Sequence, residues 1–263
     1  MPPKYEATAK ERIRKALQKY TALLREKSLQ GINEEDTSLI VHRMLVELFG
    51  YEEFREITGQ HKVKGHFVDW AVYVDQDLKF FVEVKPLGAR LRDKDLFQVV
   101  AYALQGRGVG WAVLTTGDVW QCYRVAAGSE PEQFAEVKLL DTAEPPGSKI
   151  DTLYLLTRES VSRNLLQKEW EQAECYRPER LARILLSDDV LTVIRRSVKR
   201  ESPGRRVDTD GLRDALARGV IRGDVYAAIG QGKTGISAAK RKLPPPRGPD
   251  TAPSTKDGSL LMP

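Results

Sequence analysis

The feature that most constrains this chain is a pair of short apolar segments, each carrying charge inside what reads as a buried strand. They are Val68-Asp69-Trp70-Ala71-Val72-Tyr73 and Phe80-Phe81-Val82-Glu83-Val84-Lys85-Pro86, with the turn formers Asp75-Gln76-Asp77 between them. Runs of β-branched and aromatic residues bounded by such turns predict strands. Side chains alternate faces along a strand, so Glu83 and Lys85 share a face with Phe81, while Phe80, Val82 and Val84 supply core on the other. By the same count Asp69 falls on the face of Phe67, Ala71 and Tyr73. Paired as a hairpin, the segments bring Asp69 towards Glu83, with Lys85 just beyond. Two acids and a lysine on one sheet face are costly to bury unless something binds there. A divalent cation is the simplest compensation.

The surrounding pattern predicts an ordered series of elements. Apolar positions at helical spacing (Ile13, Ala16, Leu17, Tyr20, Leu23, Leu24) predict an amphipathic helix over 5–27, ending near Gly31. Asn33 is a natural N-cap for a helix over 34–49, stopped by Gly50. A short strand over 54–58 leads into a polar loop, 59–65, with His61, Lys62 and Lys64; a solvated turn is its ordinary reading. His61 and His66 lack the partners a zinc site needs. After Pro86-Leu87-Gly88 a helix is expected over 93–105, with Gln98 and Tyr102 on one face and Leu96, Val100 and Ala103 on another. Strands over 111–115 and 119–125 flank Thr116-Gly117-Asp118, and an edge strand over 135–140 completes a mixed α/β sheet.

These residues resemble the PD-(D/E)XK nuclease motif, in the form found in the nuclease domain of type I restriction enzyme R subunits. Asp69 followed by Glu83-Val84-Lys85 is similar to the motif itself, although Val68 stands where a proline is usual. Gln98-Val99-Val100-Ala101-Tyr102 looks like the Gln-x-x-x-Tyr element after the catalytic strand. Asn33 to Thr37 with Leu48-Phe49-Gly50-Tyr51 resembles the first helix, and Gly110 to Trp120 the closing strands. The likeness covers roughly residues 30–125. It implies a restriction-endonuclease-like mixed sheet flanked by helices, followed here by a smaller all-α domain. It also implies that Asp69, Glu83 and the Val84 carbonyl hold Mg²⁺ (Mn²⁺ as a substitute), that Lys85 is catalytic, and that Gln98 assists. In that family a glutamate of the first helix can complete the metal site; Glu35 is the best positional match and Glu47 a weaker one. The alternative for Glu34 and Glu35 is favourable placement at the positive end of a helix dipole. Tyr102 would steady Gln98 or the DNA backbone.

Composition limits the alternatives. With 263 residues, 41% hydrophobic and 30% charged, the chain reads as one sizeable domain or two small ones of ordinary soluble type. No apolar run approaches the roughly 18 residues of a membrane span. Met1-Pro2-Pro3-Lys4-Tyr5-Glu6 lacks an apolar signal core, and Cys122 and Cys175 have no metal-type spacing, so a cytoplasmic protein with reduced structural thiols is expected.

The net charge of +5 is unevenly spread. Between Leu155 and Lys242 stand 19 Lys/Arg against 12 Asp/Glu, leaving the rest about −2. A basic second half suits a polyanionic partner, or is simply a solvated helical surface. The expected organisation is a nuclease-like domain over 1–144, a Pro/Gly-containing linker over 141–149, a helical domain over 150–228 and a disordered tail over 229–263. Helices are expected over 159–174, 178–186, 188–199 and 210–218. Arg195, Arg196, Lys199 and Arg200 form the densest basic cluster, placed to meet DNA backbone or a protein partner. Gly230-Gln231-Gly232-Lys233-Thr234 lacks the first P-loop glycine and a preceding strand, so ATP binding is not expected.

The expected activity is that of a Mg²⁺-dependent endonuclease on DNA, of restriction or defence type. No translocase motif accompanies it, so it would act alone, as an oligomer or with separate subunits. The competing reading is a non-catalytic nucleic-acid- or protein-binding module on a nuclease-like scaffold.

Overall fold

A computed structural model describes residues 3–63, 66–105 and 109–230. Helix α1 (Lys4–Gln30) buries Ala9, Ile13, Ala16, Tyr20 and Leu24 as one stripe and ends at Gly31, whose φ of 68° is left-handed. Such a terminus favours glycine because it has no Cβ to clash. Helix α2 (Glu34–Glu47) starts under Asn33, whose side chain accepts the Asp36 N–H.

Six strands form one sheet in the order of the chain: β1 (Ile57–Val63), β2 (His66–Val74), β3 (Asp77–Val84), β4 (Trp111–Thr115), β5 (Val119–Arg124) and β6 (Glu132–Lys138). Every neighbouring pair is antiparallel except β3–β4, which is parallel. Parallel neighbours need a crossover, and α3 (Asp93–Gln105) supplies it. The β2–β3 turn is the two-residue Asp75-Gln76, both left-handed (φ 53° and 66°), which matches the twist of a tight hairpin. The stretch expected as a polar loop, 59–65, is instead largely strand, because Gly59 to Val63 pair with His66 to Trp70. Phe54, expected in that strand, lies in the turn before it.

The sheet separates two cores. On one face Val72, Val74, Phe80, Val82, Val84, Val113 and Trp120 pack on α1, α2 and the helices that follow β6. On the other, Ala71, Phe81 and Ala112 pack under Val100 and Ala103 of α3. The alternation expected around Phe80–Val84 therefore holds. Val68 also joins the α3-side core, three residues from Ala71, so strict alternation breaks beside Asp69.

The expected linker over 141–149 is corrected. Helix α4 (Pro146–Tyr154) begins within it, with proline in the first turn where its missing N–H costs nothing. Ile150, Leu153, Tyr154, Val161 and Leu166 belong to the same buried core as α1 and α2. Polar ties reinforce this: Arg12 grips Glu159 with two 2.7 Å bonds and also donates to the Leu48 carbonyl at 3.1 Å. The helix expected over 159–174 is two, α5 (Arg158–Val161) and α6 (Leu165–Cys175), because Asn164 turns left-handed (φ 54°) between them. Helices α7 (Pro178–Leu185), α8 (Asp188–Glu201), α9 (Thr209–Gly219) and α10 (Gly223–Gly230) form the remaining cluster, burying Ala182, Leu191, Ala217 and Val225. Both cysteines are free; Cys122 is buried and Cys175 exposed. The P-loop-like residues after Gly230 and the Pro-rich tail lie outside the described residues. Among those described, no helix is long and apolar enough to cross a membrane.

Candidate active site

The charged residues of the two central strands meet at the C-terminal end of β3. Register between β2 and β3 runs from Val74↔Asp77 to Trp70↔Val82 and stops there. Where the next backbone bond would fall, the carboxylate of Asp69 takes over, its Oδ2 accepting the Val84 N–H at 2.8 Å. Lys85 stands just past β3, its N–H bonded to the Thr115 carbonyl at 2.8 Å, which continues the parallel pairing with β4. Its ammonium donates to Glu83 Oε1 at 2.8 Å. In a strand the N–H and C=O of one residue point to the same side, so the Val84 carbonyl is directed towards β2 as well.

Helix α2 is locked against this end of the sheet. Thr37, fully buried, donates to the Asn33 carbonyl at 2.7 Å and accepts the Leu87 N–H at 3.1 Å. Trp70, next to Asp69, donates to Ser38 at 3.0 Å and stacks on His42 at 4.5 Å between ring centroids. These bonds bring the first turn of α2 to Lys85, whose ammonium lies 3.5 Å from Glu34 Oε1. The glutamate that meets Lys85 is therefore Glu34, one residue before the expected Glu35; both are exposed in that turn. Spacing alone could not separate adjacent residues; the Asn33 cap and the Thr37–Leu87 bond set the rotation of the helix. Glu47 is removed from the site, since it pairs with Lys19 and accepts from Tyr20 at 3.0 Å.

The electrostatics are those of an overloaded pocket. Glu83 is 2% exposed, and its Oε2 is buried without a hydrogen-bond partner among the described residues. Burial pushes its pKa up to about 7, and Asp69 and Glu34 add to the rise against the lowering by Lys85. Asp69 is also raised, by burial first, although the Val84 N–H and Lys85 oppose it. Lys85 is raised because Glu83, Glu34 and Asp69 outweigh its own desolvation. An orphaned carboxylate oxygen beside a second desolvated carboxylate fits a hard cation, which prefers oxygen ligands. Among the described residues, however, no three His, Cys, Asp or Glu side chains already form a metal-holding group.

The shift of Glu83 has a consequence for stability. Its folded pKa lies above the ordinary 4.5, so the native state holds a proton that the unfolded state has released. Stability is therefore lost as pH rises from about 4.5 to about 7. In chelator, urea unfolding should show wild type losing on the order of 2–3 kcal/mol relative to Glu83→Gln between those limits. Parallel pH profiles for the two proteins would contradict this assignment.

The remaining expected residues are distributed as follows. Gln98 and Tyr102 lie on α3, which covers the face bearing Glu83, but their side chains are outside the described residues. Arg195, Arg196, Lys199 and Arg200 all lie on α8, which packs on α7 and α9; Arg195 is half-buried and the other three are exposed. None of the four makes an ion pair with a described residue. The architecture is thus an α/β protein with a six-stranded mixed sheet flanked by helices, and an acidic, lysine-containing cluster at the carboxyl end of its parallel strands. Ligands of open α/β sheets bind at such ends. Scans against protein-family models, curated proteins and solved structures find no match to this chain.

Proposed function

We propose that this protein is a divalent-metal-dependent endonuclease of PD-(D/E)XK type, hydrolysing phosphodiester bonds in DNA in a restriction or defence role. The observation that carries the reading is the buried Glu83 beside Asp69; its Oε1 accepts from Lys85, and its Oε2 has no partner among the described residues. Asp69, Glu83 and the Val84 carbonyl would hold Mg²⁺ or Mn²⁺. Such an ion, when bound, acidifies a water ligand and neutralises phosphate oxygens.

The chain's own groups do the rest. Lys85 is a compact cation held at the carboxyl end of β3 by its backbone bond to Thr115. There it can stabilise negative charge building on the phosphate or orient the attacking water. Glu83 holds the ammonium in place from the inner side, and Glu34, 48% exposed, from the outer. A phosphate arriving from solvent displaces Glu34 more readily than the buried Glu83. Asp69 serves as ligand and as clasp, because its bond to the Val84 N–H keeps β2 and β3 together where their ladder has ended. The basic face of α8 supplies a second contact for the polyanion.

The direct test is cleavage of supercoiled plasmid with Mg²⁺, Mn²⁺ or chelator. Metal-dependent nicking or cutting supports the reading. Salt-sensitive binding without cleavage under any divalent ion would favour a basic, non-catalytic module instead. The choice between first-turn glutamates has its own readout. Glu34→Gln should raise the Mg²⁺ concentration for half-maximal cleavage roughly tenfold, as loss of a supporting carboxylate does. Glu35→Gln should leave it unchanged.

A further inference from the structure

The segment joining β3 to α3 is short and tied down. After Lys85, the Leu87 N–H is bonded to Thr37, and the Ala89 N–H to the Pro86 carbonyl at 2.9 Å. The Arg92 N–H bonds Asp95 Oδ2 at 2.9 Å, while the Asp95 N–H returns to the Arg92 carbonyl at 2.9 Å, closing the first turn of α3. Arg90, Arg92 and Lys94 therefore project from a fixed backbone at the sheet end that holds Glu83 and Lys85. All three are exposed, and none makes an ion pair with a described residue. Asp95, the acid among them with a described side chain, is half-buried and turned to the backbone of its own turn.

Helix α3 presents Leu96, Val100 and Ala103 to the sheet. Phe97 stands beside that stripe and three residues from Lys94, so Lys94 and Phe97 share the outward face. Its ring is 66% exposed. A single exposed apolar residue is ordinary on a protein surface. This one shares a hydrogen-bonded turn with three cations that pair with no described residue, next to the proposed phosphodiester site. A flat ring among backbone-directed cations suits a nucleic-acid strand whose bases are unstacked, since a base lies on the ring and its phosphates meet the cations. In a closed duplex the base faces are hidden.

We propose that Arg90 to Phe97 is the docking surface for a single-stranded stretch of nucleic acid, such as a flap, gap or frayed end, with a base stacked on Phe97 and flanking phosphates held by Arg90, Arg92 and Lys94. The proposal rests on the phosphodiesterase reading of Asp69, Glu83 and Lys85, but its test does not require cleavage. Fluorescence anisotropy of the full chain in chelator, with labelled oligo(dT) and a blunt duplex of equal length, is the measurement. Wild type should bind oligo(dT) more tightly. Phe97→Ala should weaken oligo(dT) about 5- to 100-fold, the range of one lost base stack, with little effect on the duplex, and Phe97→Trp should restore it. Joint replacement of Arg90, Arg92 and Lys94 by alanine should weaken both ligands and flatten the salt dependence by about two units of slope. Unchanged oligo(dT) binding in Phe97→Ala overturns the proposal. So does a change in oligomeric state by sedimentation without a change in binding, because the ring would then cover a protein contact. Lys85→Ala, run beside them, separates the two ideas: retained strand binding with no cutting leaves both standing, whereas wild-type binding without cutting in any metal ends the hydrolase reading alone.

Discussion

Lys85→Ala is expected to slow Mg²⁺-dependent plasmid cleavage by roughly 10²- to 10³-fold, the usual cost of about 3–4 kcal/mol for one electrostatic contact to the transition state. The structure adds a condition on how that result reads. Among the described residues Lys85 is the one hydrogen-bond donor to the Glu83 side chain, and they offer its other oxygen no partner. Without the ammonium, Glu83 is left buried next to Asp69 with nothing to balance its charge, and the proton it already tends to keep at neutral pH becomes harder to lose. The alanine variant should therefore remain folded, carrying a neutral Glu83. Part of its lost activity then comes from a weaker anionic ligand set. Raising the pH should recover that part and not the rest, so the wild-type to variant ratio should fall with pH without reaching one. Equal cutting by the two proteins would remove Lys85 from the mechanism.

The second large effect concerns Asp69, where two replacements should part company. Asp69→Asn and Asp69→Ala both remove a carboxylate from the proposed metal site, and both should reduce cleavage at least as far as Lys85→Ala does. Their stabilities should differ. The asparagine carbonyl oxygen can still accept the Val84 N–H that Asp69 Oδ2 now takes at 2.8 Å, whereas alanine leaves that buried donor unmet. An unsatisfied buried donor costs about 1–3 kcal/mol, so Asp69→Ala should unfold at the lower urea concentration and Asp69→Asn close to wild type. A second readout follows from the ligand role. Mg²⁺ should raise the melting temperature of wild type and of neither variant, because an ion that binds only the folded site stabilises by mass action. Identical melts for the two variants would mean that the Asp69–Val84 bond does not hold the strands together.

Much of this was legible from residue pattern. The alternation Phe80–Val84 assigned one sheet face to the main core and the other to Glu83 before any coordinates, and the helix over 93–105 was marked by its apolar stripe and by the turn ahead of it. The helices over 178–186 and 188–199 announced themselves through Pro178 and Ser187 at their starts. Other features were not legible, and the reasons are physical. Residues 59–63 look like a loop because they are polar, yet an outer strand needs only backbone partners, and β2 offers them. Residues 141–149 look like a linker because they hold prolines, yet proline also starts helices, and Ile150 and Leu153 had a core to bury against.

Local pattern alone determined that Asp69 and Glu83 sit on strands, with Lys85 one residue past the end of the second, because a two-residue period is written into the order of apolar and charged side chains. Only the tertiary structure decided that Glu34 rather than Glu35 faces Lys85, and that Asp69 closes the gap where β2 and β3 part. Those outcomes depend on how α2 is rotated and where a ladder ends. Both are fixed by bonds between distant residues, Thr37 to Leu87 and Trp70 to Ser38, that no window of neighbouring residues contains.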